Sequence, residues 1–322
     1  MTSNFFPYKE GTATFLIDPY VRVYPIAILM GMIISILTVA FFWRKEKFNF
    51  DHFFALLFII IPSSIIGARL WFVFERLIYN PQNPFPGSAW YAIWEGGLSI
   101  QGGVALPAIL SLVYIYFKRD YIDYRKALSM ILPTVLIGQA IGRWGNFANH
   151  EVYGKIDPTG QSSLIFGEWL ARHMFIYNAN ESAASAAFRY PLFLYESISS
   201  IIGYIIIVWI IQERNLLKPG SNGGLYFVYY GTVRLAMEPL REESYFYYSL
   251  AAMFSILIGG MMMIYFEIWA NPSRYVKTKI GKFRYQYDWT KVVVDKKDKK
   301  IKFQSNNNKN KTEGKIKKYV TK

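Results

Sequence analysis

The stretch Ala127–Phe147 reads ALSMILPTVLIGQAIGRWGNF. Its 21 residues match the ~20 that a helix needs to cross the hydrocarbon core of a bilayer. Arg143 is the one charged residue in it. An ionisable group at membrane depth is costly and normally faces an interior cavity or a partner. The stretch is therefore read as a membrane span that carries function. Gln139, Arg143, Asn146 and His150 recur at spacings of four, three and four, which places them in one polar stripe along a helix. Gly138, Gly142 and Gly145 form a second stripe, about a quarter turn away, along which a neighbouring helix can approach closely.

The rest of the chain has the same character. Of its 322 residues 53% are hydrophobic and only 18% charged, and it carries 25 Phe, 25 Tyr and 9 Trp, as expected of a lipid-facing protein with interfacial aromatic belts. Six further apolar stretches approach spanning length: Tyr24–Trp43, Phe53–Phe74, Gly97–Phe117, Pro191–Ile211, the shorter Gly223–Leu240, and Phe246–Trp269. The expected fold is an all-α membrane protein with seven transmembrane helices. Residues 24–147 hold the first four and residues 191–270 the last three. Lys and Arg cluster after spans one, three and five (Arg44, Lys45, Lys47; Lys118, Arg119, Arg125, Lys126; Arg214, Lys218), and such clusters mark cytoplasmic loops. That puts the N-terminal segment 1–23 outside the cell, with a small extracytoplasmic head at 148–190. The N-terminus lacks a basic region before an apolar core, so no cleavable signal peptide is expected and the first span serves for insertion.

Net charge is +14, and the segment from Ser273 onward holds 17 Lys/Arg against four Asp/Glu. The basic character thus belongs to a tail, 271–322, and not to a nucleic-acid-binding domain. The tail is low in complexity and is expected to be disordered, cytoplasmic and drawn to anionic lipid. The chain has no cysteine, which excludes disulfides, a cysteine nucleophile and thiolate-bound metal. His52, His150 and His173 stand far apart in sequence, so neither a metal centre nor a cofactor is expected.

Further ionisable groups lie at membrane depth: Arg69, Glu196, Arg234 and Glu238. Tyr230, Arg234 and Glu238 share a helix face at i, i+4, i+8 before Pro239. Glu196 and Glu238 suit neutralising an arginine. Arg69 suits either a pair with Glu75 or Glu95, or the site. Two glycine pairs in Glu95–Gly103 (EGGLSIQGG) suggest irregular backbone entering the membrane beside a cavity. Arg143 and Arg234, with few carboxylates beside them, imply an anion from outside the protein. Phosphate suits the guanidinium fork.

These residues carry a resemblance. GRWGNFANHEVYG, Gly142–Gly154, is similar to the signature of the bacterial prolipoprotein diacylglyceryl transferases, Gly-Arg-x-Gly-Asn-Phe-x-Asn-x-Glu-x-x-Gly, with all eight fixed positions present. Arg22–Tyr24, Gly67–Leu70, Trp94–Gly103, Pro191–Glu196, and Tyr230, Gly231, Arg234 and Glu238 resemble further family segments in order. The similarity runs from residue 20 to about residue 270 and leaves out the tail. It implies a seven-helix body with an outward head in the bacterial cell membrane. The implied reaction moves a diacylglyceryl group from phosphatidylglycerol to the thiol of a lipobox cysteine in prolipoprotein signal peptides, releasing glycerol phosphate. Two positions depart from the family pattern: Gln101 and Tyr190 stand where histidine is usual. Glutamine is no useful base near neutral pH. The expected catalytic residues are Arg143, Arg234, Gln101 and Glu151, with the arginines stabilising the leaving phosphate, Gln101 orienting the headgroup, and Glu151 or then Tyr24 as base. Asn146, Tyr24, Tyr230, Gly154, Arg69 and Glu238, with Arg143, are the expected substrate contacts. Two rivals stand beside this reading: a transporter or flippase for an anionic lipid or solute, and a scaffold derived from the enzyme.

Overall fold

A computed structural model describes residues 5–18, 20–85, 87, 89–242, 246–270, 274–294 and 301–305. Among these residues six helical segments are long and apolar enough to cross a membrane: Val23–Lys45, Phe50–Tyr79, Ile100–Phe117, Tyr124–Ala148, Leu192–Gln212 and Phe246–Trp269. The first three are α1, α2 and α3. The fourth is α4 (Tyr124–Ile131) and α5 (Val135–Ala148) joined by a 3₁₀ turn, Leu132–Thr134. Pro133, which has no N–H to offer the helical ladder, sits in that turn. The expected sixth span, Gly223–Leu240, corresponds to α9, Ser221–Met237, whose 17 residues extend about 25 Å. It is one residue shorter than α3 and is not among the six by length. Two further helices, α8 (Leu192–Tyr204) and α10 (Phe246–Ile264), each continue into a π-helical turn.

Glycine sets the tightest helix contacts. A methyl group built on Gly67 of α2 would lie 2.3 Å from the Gly102 carbonyl oxygen of α3, and one on Gly102 would lie 2.0 Å from the Gly67 oxygen. Backbone therefore meets backbone, and no side chain fits between. The glycine stripe of α5 faces α1: a Cβ on Gly145 would strike Tyr24 at 2.8 Å, and one on Gly31 would stand 3.1 Å from Gly138. Gly142 faces open space instead.

The largest buried cluster gathers Trp43, Phe53, Ile115, Ile122, Met130, Val208 and Tyr226. Trp43 and Ile115 come from the C-terminal ends of α1 and α3, Val208 from the α8 extension, Phe53 and Tyr226 from the N-terminal parts of α2 and α9, Ile122 from the turn before α4, and Met130 from α4. They pack one end of the bundle. The antiparallel chain path brings Tyr24, Arg69, Gln101, Arg143, Glu196 and Arg234 toward the other end.

Residues between α5 and α8 form a compact unit. It contains the short helices α6 (Gln161–Leu164) and α7 (Glu168–His173) and the strands β4 (Phe175–Tyr177) and β5 (Ala187–Phe188). The N-terminal strand β1 (Tyr8–Lys9) adds in parallel to β4, giving the order β1-β4-β5. A hairpin of β2 (Phe15–Ile17) and β3 (Val21–Arg22) leads into α1. The segment expected to be a disordered basic tail begins instead with strands β6 (Tyr275–Gly281) and β7 (Arg284–Val294), followed by β8 (Ile301–Ser305) in an antiparallel sheet. The sheet is tied down: Tyr275 Oη donates to the fully buried Asp123 at 2.6 Å, and the Tyr285 N–H donates to the Arg214 carbonyl at 3.0 Å. The low-complexity residues 306–322 fall outside the described residues.

Candidate active site

Five charged side chains converge from α5, α8 and the end of α9. Arg143 Nε lies 2.5 Å from Glu196 Oε2. The other oxygen of Glu196 pairs with Arg241 Nη2, and Arg234 pairs with Glu238 one helical turn along α9. Arg143 and Arg234 both lie within electrostatic reach of Arg241. Three guanidinium groups thus meet two carboxylates, leaving one positive charge in excess. Glu196 and Glu238 neutralise arginines, as their positions suggest, so Arg143 and Arg234 each have one carboxylate partner. Neutralising partners suit a low-dielectric setting, where an unpaired charge is strongly disfavoured. Arg143 keeps 26% of its side chain accessible, against 12% for both Arg234 and Arg241, so it is the guanidinium most open to a ligand.

Gln139, Arg143 and Asn146 lie along α5 as expected, but α5 ends at Ala148 and His150, with φ of 52°, leaves the stripe. Gln139 lies beside the Tyr226 hydroxyl, and Asn146 Oδ1 accepts from Arg143 Nη1 at 3.4 Å. Tyr230 stacks on Tyr226 with ring centroids 6.2 Å apart. Tyr24, seated on Gly145, lies in the field of both Glu151 and Arg143. Glu151 accepts from Asn149 Nδ2 at 3.3 Å. Tyr24, Asn146, Glu151 and Arg143 therefore share one neighbourhood.

Gly154 supplies the floor. A Cβ there would lie 2.6 Å from Tyr190 Cβ and 2.7 Å from the Leu240 oxygen. Its N–H donates to the Tyr190 carbonyl at 2.9 Å, and the Lys155 N–H donates to Leu240 O at 2.8 Å. The head thus clasps the chain just beyond Pro239 and fixes Arg241 opposite Gly154 in an antiparallel bridge. Tyr190, at the family's second histidine position, packs onto this glycine. Nearby, Arg189 lies 2.9 Å from Glu242. Asp157 anchors the next turn: burial pushes its carboxyl up, but hydrogen bonds from Ser162 and Thr159 outweigh that and hold it at about 2.

Arg69 belongs to a different arrangement. It is buried, and its Nε donates to Trp90 O (2.7 Å), Nη1 to Gly96 O (2.7 Å) and Gly97 O (3.2 Å), and Nη2 to Ala89 O (2.8 Å). Its partners are backbone carbonyls of the loop before α3. Glu75, the expected partner, instead accepts from Trp71 Nε1 at 2.9 Å and Ser99 Oγ at 2.5 Å. The irregular backbone expected there is present: Gly96 and Gly97 have φ of 86° and 69°, which favour glycine. Gln101 follows in the first turn of α3, exposed.

Arg241 escaped the sequence reading, because it falls between the expected sixth span and the loop after it. The one available signal was an Arg directly beyond Pro239 at an end of the bundle otherwise poor in Lys and Arg. The histidines also differ from expectation. His150 and His173 both stack on Tyr8, at 4.3 and 5.1 Å, while His52 stands apart against Tyr114. Burial holds His150 below its usual pKa. Among the described residues no three His, Asp or Glu side chains are grouped to hold a metal ion.

Residues 13–268 match the family model described as prolipoprotein diacylglyceryl transferase. A phosphatidylglycerol–prolipoprotein diacylglyceryl transferase of Mycoplasmoides gallisepticum is 35% identical over 302 aligned residues, covering 81% of this chain and 78% of its own length. Proteins of the same name from Streptococcus equi subsp. zooepidemicus (35% over 222 residues; 69% of this chain and 79% of that protein) and Streptococcus agalactiae (31% over 250; 76% and 91%) are also similar. With the signature residues gathered around one open guanidinium and the family model matching most of its length, this chain belongs to the prolipoprotein diacylglyceryl transferase family.

Proposed function

We infer that the Arg143–Glu196–Arg241 and Arg234–Glu238 cluster is where this membrane transferase moves the diacylglyceryl group from phosphatidylglycerol to the lipobox cysteine of a prolipoprotein signal peptide. The observation that carries the assignment is the gathering of three guanidinium groups, of which Arg143 is the most accessible. The cysteine sulfur attacks the sp³ glycerol carbon that bears the phosphate. The carbon–oxygen bond breaks, the electron pair leaves with glycerol phosphate, and a thioether remains. Arg143 and Arg234 stabilise the charge that builds on the leaving phosphate, as fixed charges do in a dry site. Their field also lowers the incoming thiol's pKa from about 8.5. Glu151 takes the thiol proton, with Tyr24 as the second choice, and Asn146, Tyr230, Gly154 and Glu238 shape the pocket. Gln101 orients the headgroup. Arg69 acts at one remove, by holding the loop that presents Gln101.

The same reading sets the topology. The bundle end with Lys45, Lys126 and Lys218 faces the cytoplasm with the C-terminal sheet. The arginine cluster, the N-terminal segment and the head face outward, and α9 completes seven passes. The test is direct: purified protein, phosphatidylglycerol and a lipobox peptide, scored by mass for thioether-linked peptide. Product that requires the lipid supports the reading. Folded protein that yields none rejects it in favour of transport or scaffolding.

A further inference from the structure

The hairpin β6–β7 lies beyond residue 268, where the family match ends, and no step of the transfer uses it. It is fastened across the end of the bundle opposite the arginine cluster. Tyr275 and Arg274 hold Asp123, in the turn before α4. Arg284 pairs with Glu213, and Asn215 Nδ2 donates to the Tyr285 carbonyl at 3.0 Å, just past the end of the α8 span. The hairpin therefore lies at the level where the spans leave the membrane.

Its surface has two sides. On one, Lys277 stands 4.2 Å over the Tyr285 ring, and Lys279 pairs in register with Tyr285. On the other, Val276 and Ile280 are exposed, at 52% and 54%, and Phe283 projects from the turn at 61% exposure. Phe283 also has φ of 55°, a left-handed conformation that a bulky side chain adopts rarely. The turn is thus held in a costly shape that displays an aromatic ring. From Arg274 to Trp289 inclusive the sequence has five basic residues and one acidic residue. A hairpin with apolar side chains on one side, lysines on the other, and Lys282 beside Phe283 at the turn can seat in a headgroup layer, with apolar groups below and ammonium groups reaching out to phosphates.

We propose that the β6–β7 hairpin is a second membrane contact: Val276, Ile280 and Phe283 seat in the interfacial layer, and Lys277, Lys279 and Lys282 bind anionic lipid headgroups. The lipid class follows from the charge, because a zwitterionic surface offers no net attraction to a cluster of this sign.

The absence of cysteine makes the test clean, since Phe283→Cys gives a single labelling site on the full chain. The labelled protein carries an environment-sensitive fluorophore in nanodiscs of phosphatidylcholine, alone or with phosphatidylserine or phosphatidylglycerol. The expected result is a blue-shifted, brighter probe in both anionic membranes, quenched by spin-labelled lipid and reversed by high salt. Lys279→Gln and Lys282→Gln, each made with the label in place, lower the anionic lipid's apparent affinity about fivefold apiece. A probe equally bright and equally quenched in all three membranes overturns the proposal. So does a response to phosphatidylglycerol without one to phosphatidylserine, which would place the lipid at the outward cluster. A second label at Thr278→Cys repeats the comparison without altering the turn, and lack of response there as well as at position 283 rejects the contact.

Discussion

Arg69 and Arg143 both lie within spans, and they differ in what answers their charge. Arg69 in α2 is met by four backbone carbonyls of one loop. Arg143 in α5 is met by one carboxylate, itself shared with Arg241, and keeps a quarter of its side chain accessible. Carbonyls are neutral and belong to the loop, so Arg69 is spent on holding backbone in place. A carboxylate can exchange for another anion, and here the guanidinium groups outnumber the carboxylates. On the proposed reading Arg69 is a structural cation and Arg143 the ligand-binding one. Arginine alone is thus a poor marker of a site; the chemistry of its partner decides.

The sharpest way to break this contrast is Arg143→Ala. We expect transfer to fall about 10²–10³-fold, the usual effect of removing one charge-stabilising donor, with thermal stability nearly unchanged. Rates from the lipobox-peptide assay and melting in detergent check both halves, and a near-normal rate removes Arg143 from the chemistry. Arg69→Gln should do the reverse. Stranding several carbonyls costs about 3 kcal/mol of stability, seen as a lower melting temperature, while the folded fraction keeps transfer within about threefold. A large rate loss in fully folded protein would move Arg69 into the site. Arg241→Gln sits between the two. It frees one oxygen of Glu196 to tighten on Arg143, and we expect a roughly tenfold lower rate through misplacement, expressed mainly in kcat. The smallest effect concerns the platform under Arg241. Asp157 has a folded pKa of about 2, below the ~3.9 of an unfolded carboxyl. Its contribution to stability is complete above the unfolded value and disappears as pH falls through about 2. Asp157→Asn should flatten the stability profile in that window, and an unchanged profile would show that the turn gains nothing from the charge.

Much of this organisation is legible in sequence, and for identifiable reasons. Spans are apolar runs, and runs are local. The stripe on α5 follows from helical spacing, and the pairing of Arg234 with Glu238 is an i, i+4 relation. The suggestion that Glu196 neutralises an arginine agrees with its contacts to Arg143 and Arg241. What stayed hidden is non-local or carried by backbone. No residue code reveals that Arg69 will meet carbonyls. Arg241 gains its place only because Lys155 and Gly154 clasp the chain beyond Pro239. The order of the C-terminal hairpin depends on Asp123, about 150 positions earlier in the chain. A composition rich in lysine and asparagine cannot register a single long-range partner of that kind.

The contact between Gly67 and Gly102 has a mechanical consequence. With backbone seated on backbone and no side chain between, α2 and α3 resist sliding past each other or rolling apart, because either motion drives a carbonyl into a Cα. The pair moves as one lever. Gln101 adjoins the contact and Arg69 lies two residues from it on the other helix, so both ride on that lever together. Any widening of the site on this side is a swing of the whole hairpin about its links to α1 and α4, and a spacer as small as the methyl of Gly102→Ala would pry the lever itself open.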